Sequence, residues 1–131
     1  MKYSFEKLEV WQLSRELVKD IYLVTSTFPS DEKFGLTSQL RRASISVSSN
    51  MAEGSARWSK KDQARYYEIS FGSLIEILNQ LILSVDLGFL HEAQLSGLRE
   101  KIDQVGRMLN ALYQSTNKPI NKSSNKPINK S

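Results

Sequence analysis

The chain of 131 residues has no cysteine, which excludes disulfide staples, thiolate metal sites and a thiol nucleophile and fits a reducing cytoplasm. His91 is its only histidine, so a histidine metal centre or a histidine-assisted nucleophile would have no second member. It sits beside an expected helix start, where capping or plain exposure explains it. Glycines and prolines are few, and Gly54-Ser55 lacks every other element of a phosphate-cradling loop. No glutamate precedes a histidine by three residues, so the Glu-x-x-His pairs of di-metal bundles are missing. The longest uncharged apolar run, Ile77 to Val85, falls well short of the roughly 20 residues of a membrane span. Glu6, Lys7 and Glu9 interrupt the place where a signal peptide would be apolar. The expectation is a soluble, cytoplasmic, non-enzymatic protein with no cofactor, no metal and no membrane partner.

Charge is the next guide. The net charge is +4, but residues 117–131 hold Lys118, Lys122, Lys126 and Lys130 and no acid, so of 18 basic residues 14 remain to face 14 acids in residues 1–116. The body is neutral, and the high pI belongs to the tail. That tail is NKPINKS, Ser124, then NKPINKS again. With two prolines and only two large apolar groups it is expected to be disordered, either as a by-product of repeat expansion or as an electrostatic extension.

The rest reads as helix. Leu8, Trp11, Val18, Ile21, Thr25 and Phe28 recur at helical steps, which predicts a first helix over about 5–28 with Ser4 as N-cap and Pro29 beyond its end. A second apolar line, Val10, Leu13, Leu17 and Val24, widens this face beyond what one core should consume, so it is either an oligomer contact or ordinary surface scatter. Residues 30–35 form a connector in which Phe34 is expected to fold back as a plug over the core. Residues 36–57 contain SISVS, which alternates as a short strand would. Leu36, Leu40, Ala43, Val47, Met51 and Gly54 nevertheless keep a helical step on both sides, and there is no partner strand, so a second helix is predicted. Its small residues permit close helix approach, and its serines can bond to the preceding turn. A capping box of Ser59 and Asp62 opens a third helix over 60–87, with Tyr67, Phe71, Leu74, Leu78, Leu81 and Val85 as its core stripe, Tyr66, Ile75, Ile77 and Ile82 broadening it, and Gly88 as its stop. Leu95, Leu98, Ile102, Val105, Leu109 and Leu112 mark a fourth helix over 92–115. The fold class is all-α, an antiparallel up-down-up-down four-helix bundle over 1–116.

In such a bundle the chain start, the end of the second helix, the start of the third and the end of the fourth share one pole. Lys2, Lys7, Arg57, Lys60, Lys61, Arg65 and the tail lysines converge there, while Asp31, Glu32, Asp86 and Glu92 gather at the other. Arg57, Trp58, Lys60, Lys61 and Arg65 combine positive charge with an aromatic platform, the ingredients for holding a phosphate backbone without reading its bases. The bland alternative is a solvated helix end with Trp58 packed over a loop. Asn50, Glu53 and Arg57 can share one helix face, and a Glu53–Arg57 pair at i,i+4 accounts for the acid without catalysis.

FEKLEVWQ, TFPSDEKFGLTSQLRRASISVSSNMAEG and FGSLIEILNQL resemble the four-helix-bundle proteins of 23S rRNA intervening sequences, most specifically at Phe28-Pro29, Phe34-Gly35-Leu36, Gln39, Arg41-Arg42-Ala43 and Asn50 to Gly54. The resemblance covers residues 5 to about 112 and implies a ring-like homopentamer. It also implies kinship with the accessory variability proteins of diversity-generating retroelements, which partner a reverse transcriptase and nucleic acid. Those proteins are strongly basic over the bundle, whereas this body is neutral. No catalytic residues are defined for the family, so Arg41, Arg42, Asn50, Glu53 and Gly54 are expected to shape the fold. Two functions remain: an oligomer that binds RNA or other nucleic acid through the basic pole, or an adaptor for a protein partner such as a reverse transcriptase.

Overall fold

The computed structural model describes residues 2–116; the tail lies outside the described residues. A 3₁₀ turn at Ser4–Lys7 leads into α1 (Glu9–Thr25), followed by a 3₁₀ turn at Ser30–Glu32, α2 (Leu36–Ser55), α3 (Lys60–Asp86) and α4 (Glu92–Thr116). There is no strand among the described residues. Each helix packs on its chain neighbour and α1 closes on α4, with α2 against α3 the most extensive contact. The predicted all-α bundle is therefore present, and SISVS lies inside α2.

Local chemistry sets the boundaries. The first helix is shorter than predicted, because Leu8 is extended at φ −76°, ψ 120° and separates the 3₁₀ turn from α1. Ser4 therefore caps nothing: it lies within the turn, and its hydroxyl reaches the Ser55 carbonyl at 3.4 Å. At the start of α3, Ser59 Oγ accepts from the Asp62 amide at 3.1 Å. Gly88 follows α3 at φ +82°, a left-handed conformation that glycine adopts without steric penalty and that ends the helix.

Leu17, Ile21, Leu40, Met51, Leu74, Ile77, Leu81 and Leu109 are fully buried at the centre. The second apolar line of α1 is consumed there: Val10 and Leu17 are buried, and Leu13 and Val24 pack against the core. That line is therefore not the surplus expected on the first helix, whose exposed apolar side chains are Tyr22 and Leu23. The larger exposed apolar face lies on α3, where Ile69 and Leu83 are exposed together with Phe71, Ile75 and Ile82 of the predicted stripe, and Leu87 just beyond the helix end, while Ile77 is in the core as predicted. By length and composition alone α3 is apolar enough to cross a membrane. The uncharged-run criterion missed this because it stops at each charge. In the bundle one side of α3 is packed, and it buries Ser70, Gln80 and Ser84.

The second correction concerns Phe34, which is 87% exposed. The core end is closed instead by Phe28 and Phe89, whose rings lie 5.7 Å apart. The turn at Ser30–Glu32 reverses the chain just after Phe28, so that Phe28 points in and Phe34 out.

Lys101 ties α4 to α1: its Nζ donates to Asp20 Oδ2 at 2.7 Å and lies 3.4 Å from Glu16 Oε1. The hydrogen bond to Asp20 raises the ammonium pKa above its ordinary value. Burial raises the Tyr67 phenol in the same direction. Both groups hold their proton more tightly folded than unfolded, so their contributions are complete below about pH 10 and fade as pH rises through the raised values. Urea melts at pH 8 and pH 11 should therefore show an alkaline loss that is smaller in Lys101→Met and in Tyr67→Phe. At pH 8, Lys101→Met should cost no more than about 1 kcal/mol, since the pair is partly solvated.

Candidate nucleic-acid interface

The turn between α2 and α3 spans residues 56–59. The Ala56 and Arg57 amides bond to the Glu53 and Gly54 carbonyls at 3.1 Å, which finishes α2 tightly. Gln63 Nε2 then donates to the Arg57 carbonyl at 3.0 Å and ties the turn to the first turns of α3. Between these anchors Trp58 stands at 101% relative exposure. It does not pack over the loop. Lys60, Lys61 and Arg65 are exposed beside it, at the positive end of the α3 dipole.

Arg57 is held rather than free. Its guanidinium lies 4.6 Å over the Tyr66 ring and 3.8 Å from Glu53 Oε1. The predicted i,i+4 pair is thus present, and Tyr66 is a support for Arg57 more than a platform of its own. Asn50 does not join them: its Nδ2 donates to the Ser46 carbonyl at 2.9 Å and to Ser46 Oγ at 3.0 Å. The chain start does reach this pole, through the Ser4–Ser55 contact, and brings exposed Lys2 and Lys7 with it.

A model of the 23S rRNA-intervening sequence protein family matches residues 6–111. The chain belongs to that family. A crystal structure of a protein of unknown function from the S23 ribosomal protein family of Bacteroides thetaiotaomicron VPI-5482 has the same fold, with a TM-score of 0.72 and 18% identity over 80% of this chain and 98% of that one. A comparison with curated proteins gives no match.

The two arginines of Arg41-Arg42-Ala43 stand apart from the basic turn. From Arg42 to Arg57 is 15 residues, roughly 22 Å along α2 at 1.5 Å per residue. The basic residues between 41 and 65 therefore form two clusters, Arg41 and Arg42 toward the start of α2 and Arg57 to Arg65 beyond its end. The pole expected to be acidic has cations of its own. Arg41, Arg42 and Lys33 line an open concavity of about 560 Å³ there, together with Phe34, Thr37 and Ser38. Sequence reasoning missed it, although the signal is present: Lys33, Thr37 and Arg41 follow at four-residue steps, as do Phe34, Ser38 and Arg42. Among the described residues no group of three or more His, Asp and Glu side chains is placed to hold a metal ion.

Proposed function

We propose that the protein is a non-enzymatic homo-oligomer, pentameric as its family resemblance implies, that binds RNA through the α2–α3 turn. The observation that carries this reading is Trp58, a fully exposed indole next to Arg57 and followed at once by Lys60 and Lys61. An indole left in water forgoes a large burial gain, and a base stacked on it recovers that gain while the lysines neutralise the strand. The family's name, and the S23 ribosomal protein family of its structural neighbour, suit an RNA setting. Symmetry would repeat the patch around a ring, so that weak single contacts add to useful avidity. The exposed apolar face of α3 supports self-association.

The test is filter binding of the full chain to single-stranded RNA and DNA over a salt series, alongside a native mass of the oligomer. Trp58→Ala should lose about 1–3 kcal/mol for each stacked base, or roughly 5- to 150-fold in affinity, with the salt slope nearly unchanged. Unaltered affinity would remove Trp58 from the account, and a monomeric mass would remove the ring. The same α3 face also favours a second reading, an adaptor that docks a partner enzyme such as a reverse transcriptase. An oligomer that binds neither RNA nor DNA would favour it.

A further inference from the structure

The concavity at the pole opposite the basic turn combines features that ordinary surface does not. Lys33, Arg41 and Arg42 line it, no acid does, and Phe34 and Tyr22 stand among them. Among the described residues none of the three cations has a carboxylate within ion-pair distance. Of the two acids that precede Lys33, Glu32 Oε1 accepts from the Leu36 amide at 3.0 Å, at the start of α2, and Asp31 is exposed outside the concavity.

Arg41 is fixed in place. Its Nε donates to Thr25 Oγ1 at 2.9 Å, its Nη2 to the Tyr22 carbonyl at 3.3 Å, and its guanidinium lies 4.4 Å over the Tyr22 ring. A cation already ordered by its neighbours loses little entropy on meeting an anion. Arg42 and Lys33 are exposed and able to close on a ligand. Thr37 and Ser38, in the first turn of α2, add hydroxyl donors where the helix dipole is positive. Phe34 presents its ring to solvent with the Lys33 ammonium 5.5 Å over one face, which leaves the other face for a base, and the opening of about 560 Å³ lies within the usual range of small-ligand sites.

We infer that this concavity binds a nucleotide unit, its phosphate held by Lys33, Arg41 and Arg42 and its base stacked on Phe34. The site stands on its own cations and aromatics and does not depend on the α2–α3 turn. The unit can be a free mononucleotide or one unstacked residue of a strand, and the same phosphate and ring chemistry serves both.

The experiment is equilibrium dialysis of the full chain against AMP and UMP, with adenosine and inorganic phosphate as the two halves of the ligand, and against a 5′-phosphorylated single-stranded RNA octamer. Saturable binding of a mononucleotide, tighter than either half, is expected. It should fall at least about tenfold in Arg42→Ala and in Phe34→Ala, each losing one principal contact. Both side chains are exposed, so an unchanged thermal melt should confirm that the variants fold. Binding of the octamer alone, with the same dependence on Arg42 and Phe34, identifies a strand as the source. Phosphate binding as tightly as AMP would overturn the base contact. Nucleotide and octamer binding indifferent to both variants would overturn the site, even if Lys60→Glu with Lys61→Glu abolishes RNA binding and so upholds the basic turn. A change of native mass in the variants without loss of nucleotide binding would also overturn it, and would assign the concavity to a neighbouring copy.

Discussion

Gly54→Val is expected to remove a large part of the folding free energy, although the usual effect of replacing a helical glycine is to stabilise. A Cβ at position 54 would stand 2.8 Å from Tyr67 Cε1 and 2.9 Å from Tyr66 Cβ. Neither atom can yield cheaply: Tyr67 is buried in the core, and a Cβ moves only with its backbone. The two helices must separate at their most extensive interface. Alanine in place of glycine ordinarily gains about 1 kcal/mol in a helix. Here overpacking of about 1–3 kcal/mol outweighs that gain, and the added methyls of valine deepen the clash. Against a total stability of about 5–15 kcal/mol, Gly54→Ala should lower the urea midpoint measurably and Gly54→Val should leave little cooperative transition. Gly97→Ala is the control with the opposite sign. Nothing lies within 4 Å of a Cβ there, so the helical gain of about 0.5–1 kcal/mol should appear in full. Stabilisation by Gly54→Ala would mean that α2 and α3 are not in close contact at this point.

The second large effect is expected from Lys60→Glu combined with Lys61→Glu. Both side chains are exposed at the start of α3, so the fold should be unaffected. On single-stranded RNA each lost phosphate contact should lower the slope of log affinity against log salt by about 0.7. Two lost contacts per subunit, with repulsion added, should weaken binding about a hundredfold or more at 0.1 M salt. The contrast with Trp58→Ala is informative, since loss of stacking lowers affinity while leaving the salt slope in place. A companion variant with Lys118, Lys122, Lys126 and Lys130 changed to glutamine reports the tail separately. If that variant accounts for the whole salt slope and the Lys60/Lys61 pair for none, the basic turn is not the contact surface.

Much of this molecule was legible from local pattern. The four helices, the stop at Gly88, the Ser59 cap, the Glu53–Arg57 pair and the exposure of Lys60 and Lys61 all depend on residues a few positions apart. The misreadings have a shared cause. Assigning an apolar line to core or surface requires knowing where the neighbouring helix lies, which spacing along one helix does not contain. Leu13 and Val24 were assigned outward and pack on the core; Phe71, Ile75 and Ile82 were assigned to the core stripe of α3 and are exposed. Phe28 and Phe34 are equally apolar on paper, and only the chain reversal between them decides which one closes the bundle.

By itself, then, the sequence determined the helical class, the number and order of helices and the presence of two arginines and two lysines near the ends of α2, because periodicity, capping and charge are local properties. Tertiary structure decided what these features mean. It set Arg42 and Arg57 roughly 22 Å apart, so that the basic residues form two separate surfaces. It left Trp58 bare at one and Phe34 bare at the other, because burial is settled by the packing of distant elements and not by the residues alongside.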